Sequence, residues 1–165
     1  MIQSRLRRIL PALPVLGTVA AATVGVSPAA HADNKRLNDG VVSNVYTVQR
    51  QAGCTTDLKK NPQLQLAAQW HTVDVLHNRS LNADIGSDGS TPQDRANNAG
   101  FRGKVAQTVA INPALAISGI ELINQWYYNP AYFAIMSDCA NTAIGVWSEH
   151  SLDRTVVVAV YGQPG

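Results

Sequence analysis

Few residues in this sequence are spaced for chemistry. His71 stands three residues before Asp74, close enough on a helix for the two to share a face, and could serve as a general base. A histidine inside an apolar helical pattern is more simply a packed residue with one ring nitrogen satisfied, and that reading is adopted here. His77, beside Asn78 and Arg79 at an expected helix end, should meet the last backbone carbonyls. Glu149 and His150 fall in an expected hairpin loop as a solvated charge pair. Ser80, Ser87, Ser90 and Ser118 offer hydroxyls, but none lies in a G-x-S-x-G elbow. Asp94-Arg95 reads as a structural pair, because a guanidinium fork can pin a loop through backbone carbonyls or a carboxylate. No residue is assigned a catalytic role.

The chain as a whole explains this scarcity. Arg5, Arg7 and Arg8 precede an apolar run from Ile9 to Val26 that ends at Ala30-His31-Ala32, the build of a secretory signal peptide cleaved before Asp33. Pro11, Pro14 and the small-x-small site argue against a retained membrane helix, so no stable membrane insertion is expected after cleavage. The expected organisation is a leader over 1–32 and one domain over 33–165, secreted or held in the cell envelope. The whole chain carries 13 basic and 11 acidic residues, net +2; without the leader ten basic residues face eleven acidic ones. A net charge near −1 with no basic stripe makes nucleic acid a poor partner. Cys54 and Cys139 are an even pair in an exported chain and should be bridged.

Val41, Val42, Val45 and Val48 repeat at helical spacing up to Gln51, with Gly53 as the stop. Asn61-Pro62 supplies an N-cap and a first-turn proline for a helix running to about Asn78. Residues 82–98 read as a long polar loop. Lys104 to Ile111 alternates weakly, as expected of a short strand or an extended segment. Asn112-Pro113 is expected to open a third helix through Trp126, and Asn129-Pro130 breaks it ahead of a short fourth. Thr142 to Trp147 and Thr155 to Tyr161 read as strands joined by a loop over Ser148 to Arg154. The run Val156-Val157-Val158-Ala159-Val160 is too apolar for a sheet wetted on one face. Helices first and strands covered on both faces indicate an α+β, α-β-α sandwich.

Four stretches carry a family resemblance: Asn44 through Gly53, Leu64 through Val75, Gly86 through Phe101, and a final set. That set is Trp126 with Asn129-Pro130, Thr142-Ala-Ile-Gly-Val146, and Val-Tyr-Gly at 160 to 162. Together they resemble the CAP superfamily, the SCP or PR-1-like domain, in its exported bacterial form. The resemblance implies an α-β-α sandwich with helices on both faces of a small, mainly antiparallel sheet. Arg95 matches the family's loop arginine.

Many CAP domains hold a divalent metal between two histidines and two acidic residues. At the matching positions this sequence has Asp84, Gln107, a site near Asn129, and Tyr132. All four differ, so no metal site and no cofactor is expected, and the cleft is a degenerate one. Asp84, Gln107, Asn129, Tyr132 and His71 remain as candidates for lining a ligand cleft. The aromatic group Trp126, Tyr127, Tyr128, Tyr132 and Phe133 is either core packing near Cys139 or the wall of an apolar groove. CAP relatives bind sterols and fatty acids, so the expectation is a non-enzymatic binding or scaffold module for a lipid, another small apolar ligand, or an envelope partner. The alternative is an extracellular hydrolase using Asp84, His71 or His150 in a non-standard arrangement.

Overall fold

The computed structural model describes residues 28–81 and 84–165. Helix α1 (Pro28–Gln51) leads through a two-residue strand, β1 (Lys59–Lys60), to α2 (Pro62–His77) and α3 (Pro92–Asn98). Strand β2 (Gly103–Asn112), α4 (Gly119–Tyr127), α5 (Pro130–Ser137) and the hairpin β3 (Ala143–Ser151) and β4 (Arg154–Pro164) follow. The sheet order is β1-β3-β4-β2; β1 runs parallel to β3 and the other pairs are antiparallel.

Strand β4 is flanked on both sides, and its side chains alternate between two cores. Val156, Val158 and Val160 join Leu64, Ala68 and Val75 of α2 and Ala96 of α3. Val157, Ala159 and Tyr161 join Val41, Val45 and Val48 of α1, Leu122 and Trp126 of α4, and Met136 of α5. A strand buried on both faces has no polar phase, which is why this stretch reads as a continuous apolar run. The α+β class and the three-layer sandwich expected from the sequence are both present.

Glycine sets how closely one layer approaches the sheet. A β-carbon at Gly145 would overlap the backbone of Leu64 and Gln65, so the start of α2 lies directly on β3. Gly53, with φ +90°, ends the chain's first turn after α1 in the left-handed region that glycine favours.

Four expectations need correction. The first helix starts at Pro28, not near Val41 after a short polar lead over Asp33 to Gly40 as the sequence suggests; Leu37 packs against the same core as Val41, so the helical stripe extends back into that segment. The leader expected over 1–32 lies outside the described residues except for the backbone of 28–32. The 82–98 loop contains α3, begun by a capping box in which Thr91 and Asp94 bond each other's backbone amides. The third helix does not open at Asn112-Pro113: Asn112 ends β2 opposite Thr155, and Ser118 caps α4 by accepting from Glu121 N at 3.1 Å. The strands run through the expected Ser148–Arg154 loop, since Ser151 pairs with Arg154 around a turn at Leu152-Asp153. Glu149 therefore stands on a strand, where it accepts from Trp147 Nε1 at 3.0 Å.

Cys54, just beyond α1, is bridged to Cys139, just beyond α5, across a sequence separation of 85. Closing a loop of that length removes enough chain entropy from the unfolded state for about 4–5 kcal/mol of stabilisation. Replacing both cysteines by Ala should therefore lower the unfolding free energy in urea by about 2–5 kcal/mol with the sandwich retained by circular dichroism.

Candidate functional site

The polar segment after α2 is held by helix ends rather than by a core. Asn78 caps α2, and Asp74, one turn earlier, accepts from Ser87 N and Ser87 Oγ, each at 2.7 Å. Thr91, Pro92 and Asp94 then start α3. The Ser90 hydroxyl and amide hold Asp88 below the usual carboxylate range, and those of Thr91 do the same for Asp94.

One turn into α3, Arg95 is 5% exposed and faces the sheet. Its Nη1 donates to Ser90 O at 2.7 Å and to Ser90 Oγ at 3.1 Å. Its Nη2 donates to Asp84 O at 2.7 Å and to Gln107 Oε1 at 3.2 Å. Burial lowers the guanidinium pKa, while Asp84, Asp88, Asp74 and Asp94 oppose that shift. A guanidinium keeps its charge in proteins, so four surrounding carboxylates are what make its burial tolerable.

Gln107, in the middle of β2, is 2% exposed and completes the chain of bonds: its Nε2 donates to Asp84 Oδ1 at 3.0 Å. Because β2 is an edge strand, this group can meet a residue from the opposite face of the sheet. That residue is Tyr132 of α5. Burial pushes the Tyr132 phenol up, the Asp84 charge adds to the rise, and the amide of Val109 opposes it. Beneath it, Thr108 and the fully buried Tyr161 hydroxyl are 3.1 Å apart, and burial also drives the Tyr161 phenol upward.

The remaining candidates are placed as follows. Asn129 uses its side-chain oxygen to cap α5, accepting from Ala131 N at 3.0 Å and Tyr132 N at 3.2 Å. It thereby orients the helix that carries Tyr132. His71 is wholly buried on α2. His77 Nδ1 lies 2.8 Å from Val73 O, in the last turn of α2. The aromatic group divides: Trp126 is core, and Tyr132 and Phe133 are half-buried. Tyr127 and Tyr128 are 41% and 78% exposed, and Tyr127 packs edge-on against Phe133.

Sixteen chains of solved structures match this fold. An outer surface protein of Borrelia burgdorferi superposes with a TM-score of 0.70 at 16% identity, covering 81% of this chain and 96% of that one. An extracellular SCP-domain protein of Bacillus anthracis gives 0.61 at 14% identity, covering 86% of this chain and 45% of the other. A cysteine-rich secretory protein of Staphylococcus aureus gives 0.58 at 14% identity, covering 79% and 39%. The fold is that of the CAP superfamily. The chain spans less than half the length of the last two proteins. No family model matches the sequence, and no curated protein matches it.

Where the resemblance leads one to expect imidazoles and carboxylates for a metal, the four matching positions here offer one carboxylate, two amides and one phenol. Both ends of the Gln107 amide are engaged within the protein. The Tyr132 phenol is held in its protonated form. Zinc favours deprotonated thiolate, neutral imidazole or carboxylate, so these residues do not fit it. Among the described residues, no group of three or more His, Cys, Asp or Glu is placed to hold a metal ion. The residue that the sequence reading placed at the margin is Arg95. It pins the loop through the Ser90 and Asp84 carbonyls as expected and in addition reaches Gln107 on β2; the Thr91-Pro92-Gln93-Asp94 capping signature is the local sign that a helix aims it inward.

Arg95→Met should cost about 3 kcal/mol in urea unfolding, because it leaves carbonyls and the Gln107 amide without their donor. Arg95→Lys should recover less than half of that, since a point charge cannot bridge two partners as a fork does. Hydrogen exchange at Gly86 to Ser90 should quicken in both variants.

Proposed function

We propose that this chain is an exported CAP module that binds rather than turns over its ligand, and that the ligand is a lipid or another small apolar molecule. The observation that supports this most is the closed Arg95–Gln107–Asp84 network: the polar groups at the cleft positions are spent on one another. Acid-base chemistry needs a group within hydrogen-bond reach of a reacting atom, and groups already bonded to one another offer little for that task. The half-buried ring of Tyr132 lies within electrostatic reach of Asp84, and on the same helix Phe133 packs edge-on against Tyr127. Such a mix of apolar walls with a few fixed polar atoms suits a ligand that is mostly apolar.

Export rests on the leader pattern and on the kind of proteins that share the fold. Those proteins are an outer surface protein, an extracellular protein and a cysteine-rich secretory protein. No helix among the described residues is long and apolar enough to cross a membrane.

Two measurements test this reading. Titration of the folded protein with zinc in a calorimeter should give no stoichiometric binding heat; tight one-to-one binding would contradict it. Protein purified from its native host and opened in organic solvent should release an apolar molecule detectable by mass spectrometry. Tyr132→Ser should reduce its recovery severalfold. Release of no lipid or other apolar molecule, or recovery indifferent to Tyr132, would count against the cleft as its seat.

A further inference from the structure

A second feature lies at the far end of the sheet. Ile111 is four residues beyond Gln107 on β2, which places it about 13 Å along the strand. Beside it, at the start of β4, Arg154 is 6% exposed. Its Nη2 donates to Leu81 O at 3.3 Å, and its Nε is buried with no hydrogen-bond partner. Among the described residues, no carboxylate stands within ion-pair distance of it. A guanidinium carries five N–H donors in a planar fork and does not shed its charge. Arg95 shares the unpartnered Nε but has four hydrogen bonds and four carboxylates around it, whereas Arg154 has a single long bond among the described residues.

Arg154 lines a pocket of about 320 Å³ together with Arg79, Leu81, Ile111, Pro113 and Asp153. Arg79 Nη2 donates to both oxygens of Asp153, at 2.8 and 2.7 Å, and both side chains are about two-thirds exposed. Two guanidinium groups against one carboxylate leave the pocket with a charge of +1. Its other walls are apolar. The volume is at the small end of the range for ligand sites.

We propose that this pocket binds a small organic monoanion: a carboxylate that meets the Arg154 fork, carried on an apolar body that packs against Leu81, Ile111 and Pro113. A carboxylate matches a guanidinium in both charge and geometry, and the surrounding low-dielectric walls strengthen the contact. Asp153 competes for the same positive charge by holding Arg79 at the rim.

The test is an amide-resolved NMR titration of the disulfide-bonded protein with benzoate and hexanoate, at fixed pH and ionic strength. Benzyl alcohol and 1-hexanol serve as neutral controls of the same shape. The anions should give saturable shifts centred on Leu81, Ile111 and Arg154, with the alcohols binding at least about tenfold more weakly. Arg154→Gln should weaken benzoate about tenfold or more. Asp153→Asn, an exposed change with little risk to folding, should tighten benzoate severalfold because it frees Arg79. Shifts that do not saturate or scatter over the surface would overturn the proposal. Equal binding of alcohol and acid, or weaker binding in Asp153→Asn, would do the same.

Discussion

A buried arginine needs company, and much of the candidate site in this protein is built to provide it. Arg95 is held against the sheet by α3, and its fork is met by the Ser90 and Asp84 carbonyls and by Gln107. Four aspartates set around it offset the loss of water. The segment from Asp84 to Ser90 has no apolar face of its own; it keeps its shape because α2 holds it through Asp74 and α3 holds it through Arg95. The cleft's polarity follows from that arrangement. Gln107 is turned to serve Arg95 and Asp84, and Asp84 in turn sets the electrostatic surroundings of Tyr132.

The scaffold makes this local arrangement possible by covering β4 completely and leaving β2 at an edge. Side chains from opposite faces of a sheet cannot normally meet, but at an edge strand α3 and α5 both reach the same rim. Asn129 and Pro130 fix where α5 begins, and hence where Tyr132 stands. On the inner strand β3, Gly145 lets the start of α2 sit directly on the strand's backbone.

How much of this the sequence discloses depends on whether the signal is local. Asn61-Pro62 marks α2 correctly because capping chemistry acts within one turn. The Val156–Val160 run announces a doubly covered strand because burial on both faces leaves its mark on every residue. Gly145 stands within the stretch that resembles the family, and the structure supplies its reason: no β-carbon fits there. Asn112-Pro113 misleads because the same pair that opens helices elsewhere here ends a long strand whose partner, β4, is forty residues away in sequence. The site was half legible. Asp84, Gln107 and Tyr132 were singled out by family position, and the structure brings Asp84 to Gln107 and within electrostatic reach of Tyr132. Arg95 was legible as the pin of the loop, which it holds through the Ser90 and Asp84 carbonyls; its contact with Gln107 was not, because nothing local in the sequence shows that α3 turns it toward β2.

The account turns on Arg95 and Gln107 acting as one unit. A double-mutant cycle with Arg95→Met and Gln107→Leu, read by urea unfolding, measures that directly. A coupling of about 1–3 kcal/mol, with the double variant less destabilised than the two single changes together, is the predicted result. Additivity within about 0.5 kcal/mol would mean the two side chains are neighbours without being partners, and would contradict the account.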